Sequence, residues 1–187
     1  MQRSIEFLRK RTGPQYICDL CAGSGIIAVA IAKNVPDAKI LATDISEPAL
    51  ALAARNVEKH KLQDRIELRQ GDLFDPLVPQ LDQFDLIACN PPYVSAAEYE
   101  ALDKNVKDYE PRIALYAGQD GLDVYRRIAE KVGQFLKPDG ILLLEIGYKQ
   151  GLAVQELLEQ SSVFAPIRID KDLQGHNRII VAHRVST

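Results

Sequence analysis

Four consecutive residues, Asn90-Pro91-Pro92-Tyr93, have types and spacing that define a chemistry. They directly follow the apolar run 84–89, which predicts a buried strand. The two prolines end that strand and stiffen the turn, because each fixes φ and lacks a backbone N–H donor. We expect Asn90 to be held with its amide directed outward and Tyr93 to form an aromatic wall beside it. An amide, a carbonyl and a ring together can hold a planar NH2 group, which an enzyme that methylates an amide or exocyclic amine nitrogen needs.

A loop of small residues lies upstream at 21–25, between a predicted strand at 16–20 and apolar residues with helical spacing at 26–33. Such a strand, glycine loop and helix place backbone N–H groups at a helix N-terminus, beside a ligand. Gly23 and Gly25 let the backbone come close to that ligand. The sequence therefore predicts a cofactor-binding loop at this position.

Acidic residues follow the next two predicted strands. Asp44 ends the apolar run after the glycine loop, where an acidic side chain commonly accepts hydrogen bonds from ribose hydroxyls. Asp72 follows the third strand. Each residue also has an ordinary interpretation: Asp44 as an acid favoured by a helix dipole, Asp72 as a turn former and Asn90 as a turn asparagine. Their joint occurrence at the ends of successive strands favours ligand binding.

The motifs as a group resemble those of class I S-adenosylmethionine-dependent methyltransferases. The segments that carry the resemblance are Asp19-Leu20-Cys21-Ala22-Gly23-Ser24-Gly25, Thr43-Asp44-Ile45-Ser46, Gly71-Asp72-Leu73-Phe74 and Asn90-Pro91-Pro92-Tyr93. More narrowly, segments 108–115, 118–123, 144–147 and 172–178 are similar to those of protein-(glutamine-N5) methyltransferases that modify peptide chain release factors. The resemblance runs from about residue 17 to the C-terminus.

This resemblance implies a reaction and a set of site residues. A methyl group would pass from S-adenosylmethionine to the side-chain amide nitrogen of a glutamine in the Gly-Gly-Gln loop of a release factor, a step linked to translation termination, with S-adenosylhomocysteine as the product. The cofactor would be bound by Asp19, Cys21, Ala22, Gly23, Ser24, Gly25, Asp44, Ile45, Asp72, Leu73 and Asn90. The catalytic residues would be Asn90, Pro91 and Tyr93, and these with Pro92 would bind the substrate.

The chain also departs from that family. Cys21 stands where the family usually has its first glycine, and Leu73 stands where it often has tryptophan. The helical N-terminal domain of full-length members, which helps to grip the release factor, has no counterpart here. We therefore divide the chain into an N-terminal helical remnant at 1–15 and a catalytic domain at 16–187. Substrate affinity should suffer from this departure more than the chemistry.

Length and composition limit the remaining possibilities. The 187 residues, 47% hydrophobic and 26% charged, fit one globular domain with a sizeable core. The net charge of −3 argues against a nucleic-acid partner, because a basic face supplies most non-specific affinity for nucleic acid. No apolar stretch is long enough to span a membrane and no signal peptide is visible, which makes the cytoplasm the expected location.

Cys18 and Cys21 have C-x-x-C spacing, and Cys89 is the third cysteine. A redox or zinc role would need a second pair or a nearby histidine. Neither is present in the sequence, so reduced thiols and no metal are expected. The proposed chemistry needs no metal either, because the cationic sulfonium is already the electrophile.

Apolar runs alternate with helical patterns along the chain, which predicts a Rossmann-like α/β fold with helices on both faces of a mostly parallel sheet. Seven strands are predicted, the last one antiparallel: 16–20, 39–44, 66–70, 84–89, 141–146, 166–170 and 178–183. Helices are predicted at 5–10, 25–33, 48–60, 123–135 and 150–160, with a turn at 137–140. The long stretch 95–121 has no strand pattern and follows Tyr93, so it either covers the acceptor or is a solvated loop.

Two rival functions remain open. DNA or RNA methyltransferases that act on adenine N6, cytosine N4 or guanine N2 use similar motifs, since they also hold a planar NH2 group. The acidic balance and the lack of a target-recognition domain oppose this alternative. The second rival is a cofactor-binding domain without activity.

Overall fold

The computed structural model describes residues 2–185, and the predicted α/β architecture is confirmed. The strands are β1 (Gln15–Leu20), β2 (Ala38–Asp44), β3 (Ile66–Gln70), β4 (Phe84–Cys89), β5 (Leu136–Glu145), β6 (Phe164–Lys171) and β7 (Asn177–Arg184). The helices are α1 (Gln2–Leu8), α2 (Ile26–Asn34), α3 (Glu47–Lys59), α4 (Ala96–Ala101), α5 (Lys104–Tyr109), α6 (Arg112–Leu115), α7 (Asp123–Lys131) and α8 (Gly151–Gln160).

The seven strands form one sheet in the order β3-β2-β1-β4-β5-β7-β6. Strands β1 to β5 pair in parallel, whereas β7 is antiparallel to both β5 and β6. Because parallel strands end at the same edge, the loops after β1, β2, β3, β4 and β5 meet there. The strand order reverses beside β1, and ligands of open α/β sheets bind at such a point.

The core lies in two layers, one on each face of the sheet. Along β4, Leu86 and Ala88 point to one face, while Ile87 and Cys89 point to the other. This alternation follows from the two-residue repeat of a strand, and both faces are apolar because helices cover both. Helices α1, α2 and α3 pack on the face of Leu86, and α7 and α8 pack on the opposite face.

Several local predictions differ from the structure. The predicted turn at 137–140 lies within β5: Phe84 pairs with Leu136 and Leu86 pairs with Ile141, so the four residues between bulge out of the ladder. Helix α7 stops at Lys131 and continues as a single 3-10 turn, Val132–Gln134. The first helix begins and ends earlier than its predicted range 5–10, since it spans Gln2–Leu8.

Stretch 95–121 contains no strand, as predicted, and folds into the three short helices α4, α5 and α6. None of the three buries a residue. An isolated bridge between Val94 and Tyr116 ties the start of the stretch to its end. These helices therefore form a covering layer that is attached at its ends and adds little to the core.

At the N-terminus, Leu8 of α1 is fully buried in the core layer that it shares with α2. The division into 1–15 and 16–187 stays a prediction; residues 1, 186 and 187 lie outside the described part. Within residues 2–185, no helix combines the length and the apolar character that crossing a membrane requires.

Candidate active site

Asp19, near the end of β1, supports the glycine loop from the core side. This carboxyl group is fully buried, and its Oδ2 accepts a hydrogen bond from the backbone N–H of Ala28 in α2 at 2.9 Å. Gly25 has φ 73°, and a Cβ there would lie 3.1 Å from the Cβ of Ala53. The bend therefore requires glycine at position 25, both for its backbone conformation and for the close approach of α3. Asp19 and Gly25 shape the loop from behind and are not part of a cleft wall.

The carboxylate of Asp44, at the end of β2, is fixed by two backbone groups. Its Oδ2 accepts from the N–H of Gly23 at 2.8 Å, and its Oδ1 accepts from the N–H of Ser46 at 2.8 Å. Each carboxylate oxygen retains further acceptor capacity beyond these bonds. Asp44 thus joins the glycine loop to the start of α3 and can still accept hydrogen bonds from a ligand.

A cleft of about 780 Å³ opens above Asp44, and we call it the aspartate cleft. The predicted cofactor residues that line it are Cys21, Gly23, Ser24, Asp44, Ile45, Asp72 and Leu73. Pro92 also lines this cleft, although the sequence placed it with the acceptor. Its size is within the range of small-molecule sites, and it brings together residues from the ends of four strands.

Asp72 is not free in this cleft, since it forms an ion pair with Arg127 of α7 at 2.8 Å. Leu73 beside it is buried and has φ 51°, so its backbone makes a left-handed turn. Arg127 also lines the aspartate cleft and was missed by sequence reasoning. No local signal marks it, because its partner lies 55 residues away on another element.

A second cleft of about 430 Å³, the asparagine cleft, is lined by Ala22, Asn90, Pro91 and Tyr93. Asn90 is exposed at the end of β4, and Pro91 behind it is buried. The two clefts adjoin, because both are lined by Cys21, Gly23, Ser24, Glu110 and Ala114. The structure thus brings the glycine loop and the Asn90 turn to one continuous surface.

The ring of Tyr93 is half-buried between charged groups. Burial raises the pKa of Tyr93, and the negative charge of Glu145 raises it further, whereas the charge and hydrogen bond of Arg178 lower it. Arg178 is itself fixed, since it donates to Ile146 O at 3.2 Å and pairs with Asp172 at 3.3 Å. The Tyr93 hydroxyl is therefore neutral at pH 7.

Cys21 lines both clefts, and the other two cysteines belong to the hydrophobic core. Cys18 and Cys89 are buried, and burial raises the pKa of both thiols well above the usual range. A protonated thiol is a poor nucleophile and a poor metal ligand. Among residues 2–185, no three His, Cys, Asp or Glu side chains are grouped so that they could hold a metal ion.

Asp19 also has an unusual titration. Burial raises its pKa to about 7, the hydrogen bond from Ala28 lowers it and the charge of Asp44 raises it. Its Oδ1 is buried and has no hydrogen-bond partner. When Asp19 is ionised, burying this unpaired oxygen below the glycine loop costs free energy. A cationic ligand in the adjoining clefts would lower that cost.

The raised pKa predicts a pH-dependent stability of the ligand-free protein. The folded state holds the Asp19 proton up to a pH of about 7, whereas an unfolded aspartate loses it near about 3.9. This contribution to the free energy of unfolding is therefore fully present at low pH and is lost as the pH rises through the folded pKa. Between the two pKa values the loss is about 1.4 kcal/mol per pH unit. Urea unfolding at pH 5, 6, 7 and 8 measures this slope.

Asp19→Asn is the matched variant, because its amide oxygen still accepts from Ala28 but the side chain does not titrate. As the pH rises from 5 to 8, the free energy of unfolding of the variant should increase relative to that of wild type. An identical pH dependence in the two proteins would contradict the assignment to Asp19.

The chain matches the family model described as methyltransferase small domain over residues 5–108. It is 43% identical over 173 residues to a release factor glutamine methyltransferase of Rhodopirellula baltica, covering 92% of this chain and 58% of that protein. It is 39% identical over 168 residues to the protein of the same name from Clostridium acetobutylicum, covering 90% of this chain and 59% of that protein. The chain thus spans about three fifths of the length of these relatives.

Solved structures agree on the fold. A ribosomal protein L11 methylase from Lactobacillus delbrueckii superposes with a TM-score of 0.68 at 22% identity, covering 99% of this chain and 77% of that one. The resemblance drawn from the motifs is therefore confirmed: this chain belongs to the methyltransferase small domain family, and its relatives include release factor glutamine methyltransferases.

Proposed function

We propose that this chain transfers the methyl group of S-adenosylmethionine to the side-chain amide nitrogen of a glutamine in the Gly-Gly-Gln loop of a peptide chain release factor. The observation that carries the proposal is the meeting of the two clefts, because a methyl donor beside Asp44 and an NH2 group beside Asn90 would face each other. The names of the curated relatives support a release factor as the acceptor.

The aspartate cleft fits the cofactor. S-adenosylmethionine supplies an activated methyl group on a cationic sulfonium. Gly23 has φ 56° and open space around the position of a Cβ, so a ligand can reach the loop backbone. Asp44 has acceptor capacity for a ribose diol, and Asp72 with Leu73 offers a carboxylate and an apolar wall for adenine. The acidic lining suits a ligand that carries positive charge.

The asparagine cleft fits a planar amide. A glutamine amide is a poor nucleophile, because its nitrogen lone pair is delocalised into the carbonyl. The Asn90 side-chain oxygen and the Pro91 carbonyl would accept hydrogen bonds from its two N–H groups, and the Tyr93 ring would fix its plane; all three residues line this cleft. The N–CH3 bond forms as the S–CH3 bond breaks to leave S-adenosylhomocysteine, and the nitrogen releases one N–H proton to water. Two acceptors on the N–H groups favour charge on nitrogen, and orientation adds to the acceleration, together on the order of several kcal/mol.

A nucleic-acid acceptor is the rival. Of the described residues that line the asparagine cleft, none is a lysine or an arginine. In the aspartate cleft, Arg127 is paired with Asp72. A flipped base would need cations near the cleft to hold the backbone phosphates. The linings of these two clefts therefore favour a protein glutamine over a flipped base.

A side-by-side transfer assay tests the proposal. The protein is incubated with radiolabelled S-adenosylmethionine and, separately, with release factor, DNA or RNA, and labelled protein is mapped by peptide mass spectrometry. We expect label on the Gly-Gly-Gln glutamine, and none on a release factor in which that glutamine is replaced by glutamate. Because this chain spans about three fifths of the length of these relatives, release factor is used at high concentration, so that weak substrate binding does not hide transfer.

The other outcomes are equally informative. Label on nucleic acid, with none on the glutamine, would overturn the proposal in favour of the rival. Cofactor binding without transfer to any acceptor would instead indicate an inactive cofactor-binding domain.

A further inference from the structure

The backbone carbonyl of Tyr93 is bonded by a side chain that lies far away in the sequence. Gln150, at the start of α8, donates from Nε2 to Tyr93 O at 2.9 Å and to Gly121 O at 3.2 Å. Its Oε1 accepts from the N–H of Gly147 at 3.0 Å. One side-chain amide therefore bonds three backbone groups from three separate segments.

The surrounding backbone is packed closely around this amide. A Cβ on Gly121 would lie 2.5 Å from Tyr93 O and 2.7 Å from Gln150 Nε2. A Cβ on Gly147 would lie 2.6 Å from Gln150 Oε1. Position 121 must therefore be glycine, since it also has φ 77° and the close atom is backbone, whereas a side chain at position 147 would displace the Gln150 amide.

Gln150 does not use its side chain for its own helix. It is the N-cap residue of α8, but it makes no side-chain capping hydrogen bond. Its amide is directed instead at the turn that carries Tyr93. A role confined to stabilising α8 therefore does not account for these contacts.

The residue after Tyr93 is fixed as well. Arg178 lies near the Tyr93 hydroxyl, where its positive charge lowers the pKa of that group. Val94 donates to Leu115 O at 2.7 Å and accepts from the N–H of Ala117 at 2.9 Å. With these groups in place, Gln150 supplies the remaining bond that sets where the Tyr93 peptide lies, and thus where its ring lies relative to Asn90.

We propose that Gln150 is a positioning residue for methyl transfer, a role that rests on the proposed function. Its amide holds the Tyr93 peptide, and so sets the plane against which the acceptor amide packs. Small misplacements of reacting groups lower rates strongly. Loss of the two donated bonds should therefore lower kcat by about 10- to 100-fold, while cofactor affinity stays the same because Gln150 does not line the aspartate cleft.

Two variants separate this role from a merely structural one. Gln150→Leu removes all three bonds, whereas Gln150→Glu keeps the oxygen that accepts from Gly147 and loses both donors. We expect both variants to lose kcat on release factor, with KM changed less than kcat. If the Gly147 bond alone mattered, Gln150→Glu would retain the wild-type rate. Gln155→Leu is the matched control in the same helix, where the amide bonds to the exposed Glu159.

A second measurement does not depend on transfer. Hydrogen–deuterium exchange at the amides of residues 93–95 in the free protein should be faster in Gln150→Leu than in Gln155→Leu. Wild-type kcat in both Gln150 variants, or unchanged exchange in this segment, would overturn the positioning role. If wild-type protein transfers no methyl to release factor, the proposed function fails instead, and the exchange result still decides whether Gln150 holds Tyr93.

Discussion

Replacing Asn90 by alanine should lower the rate of methyl transfer at saturating cofactor by about 100-fold or more, the usual loss for one positioned hydrogen-bonding group. The side chain is exposed at the end of β4, and no core contact depends on it. The variant should therefore fold normally. Incorporation of labelled methyl into release factor measures the rate, and thermal unfolding verifies the fold.

Asn34→Ala is a suitable control, because Asn34 lies at the end of α2 that is remote from the glycine loop. Asn90→Asp keeps a side-chain oxygen acceptor and should retain more activity than Asn90→Ala. A rate within a few-fold of wild type for Asn90→Ala would show that the acceptor amide is not bonded by Asn90.

Asp44→Ala should weaken the binding of S-adenosylhomocysteine by about 1.5–3 kcal/mol, the typical value of a charge-assisted hydrogen bond. This loss corresponds to roughly a 10- to 150-fold rise in Kd. The variant also leaves the N–H groups of Gly23 and Ser46 without their carboxylate partner, so the glycine loop loses a support. Isothermal titration calorimetry measures the affinity directly.

Asp37→Ala provides the control, since Asp37 is exposed just before the opposite end of the same strand. Asp44→Asn keeps one acceptor oxygen and should fall between wild type and Asp44→Ala. Unchanged affinity in a folded Asp44→Ala protein would rule out ribose binding by this residue.

Substitutions of Asp44 and Asn90 should thus change two different quantities. The carboxylate should affect cofactor affinity, and the amide should affect the rate at saturating cofactor. Because the two clefts share the glycine loop, changes at Cys21 or Ser24 should affect both quantities together.

The sequence by itself determined the sheet and the positions of the predicted binding residues along it. Apolar runs located β1, β2 and β4 closely, because a strand that is buried on both faces leaves a nearly continuous apolar signal. The prolines after Asn90 defined the end of β4, since proline cannot continue a central strand. Parallel strands then place Asp44 and Asn90 at one edge of the sheet without any knowledge of side-chain contacts.

Only the tertiary structure decided which side chains hold those residues. The ion pair of Asp72 with Arg127 and the bond of Gln150 to Tyr93 join elements that are 55 and 57 residues apart. Such pairs leave no local pattern, because chain folding rather than sequence spacing brings them together. The raised pKa of Asp19 likewise depends on complete burial, and stretch 95–121 forms short helices whose exposed faces lack the apolar spacing that predicts a helix.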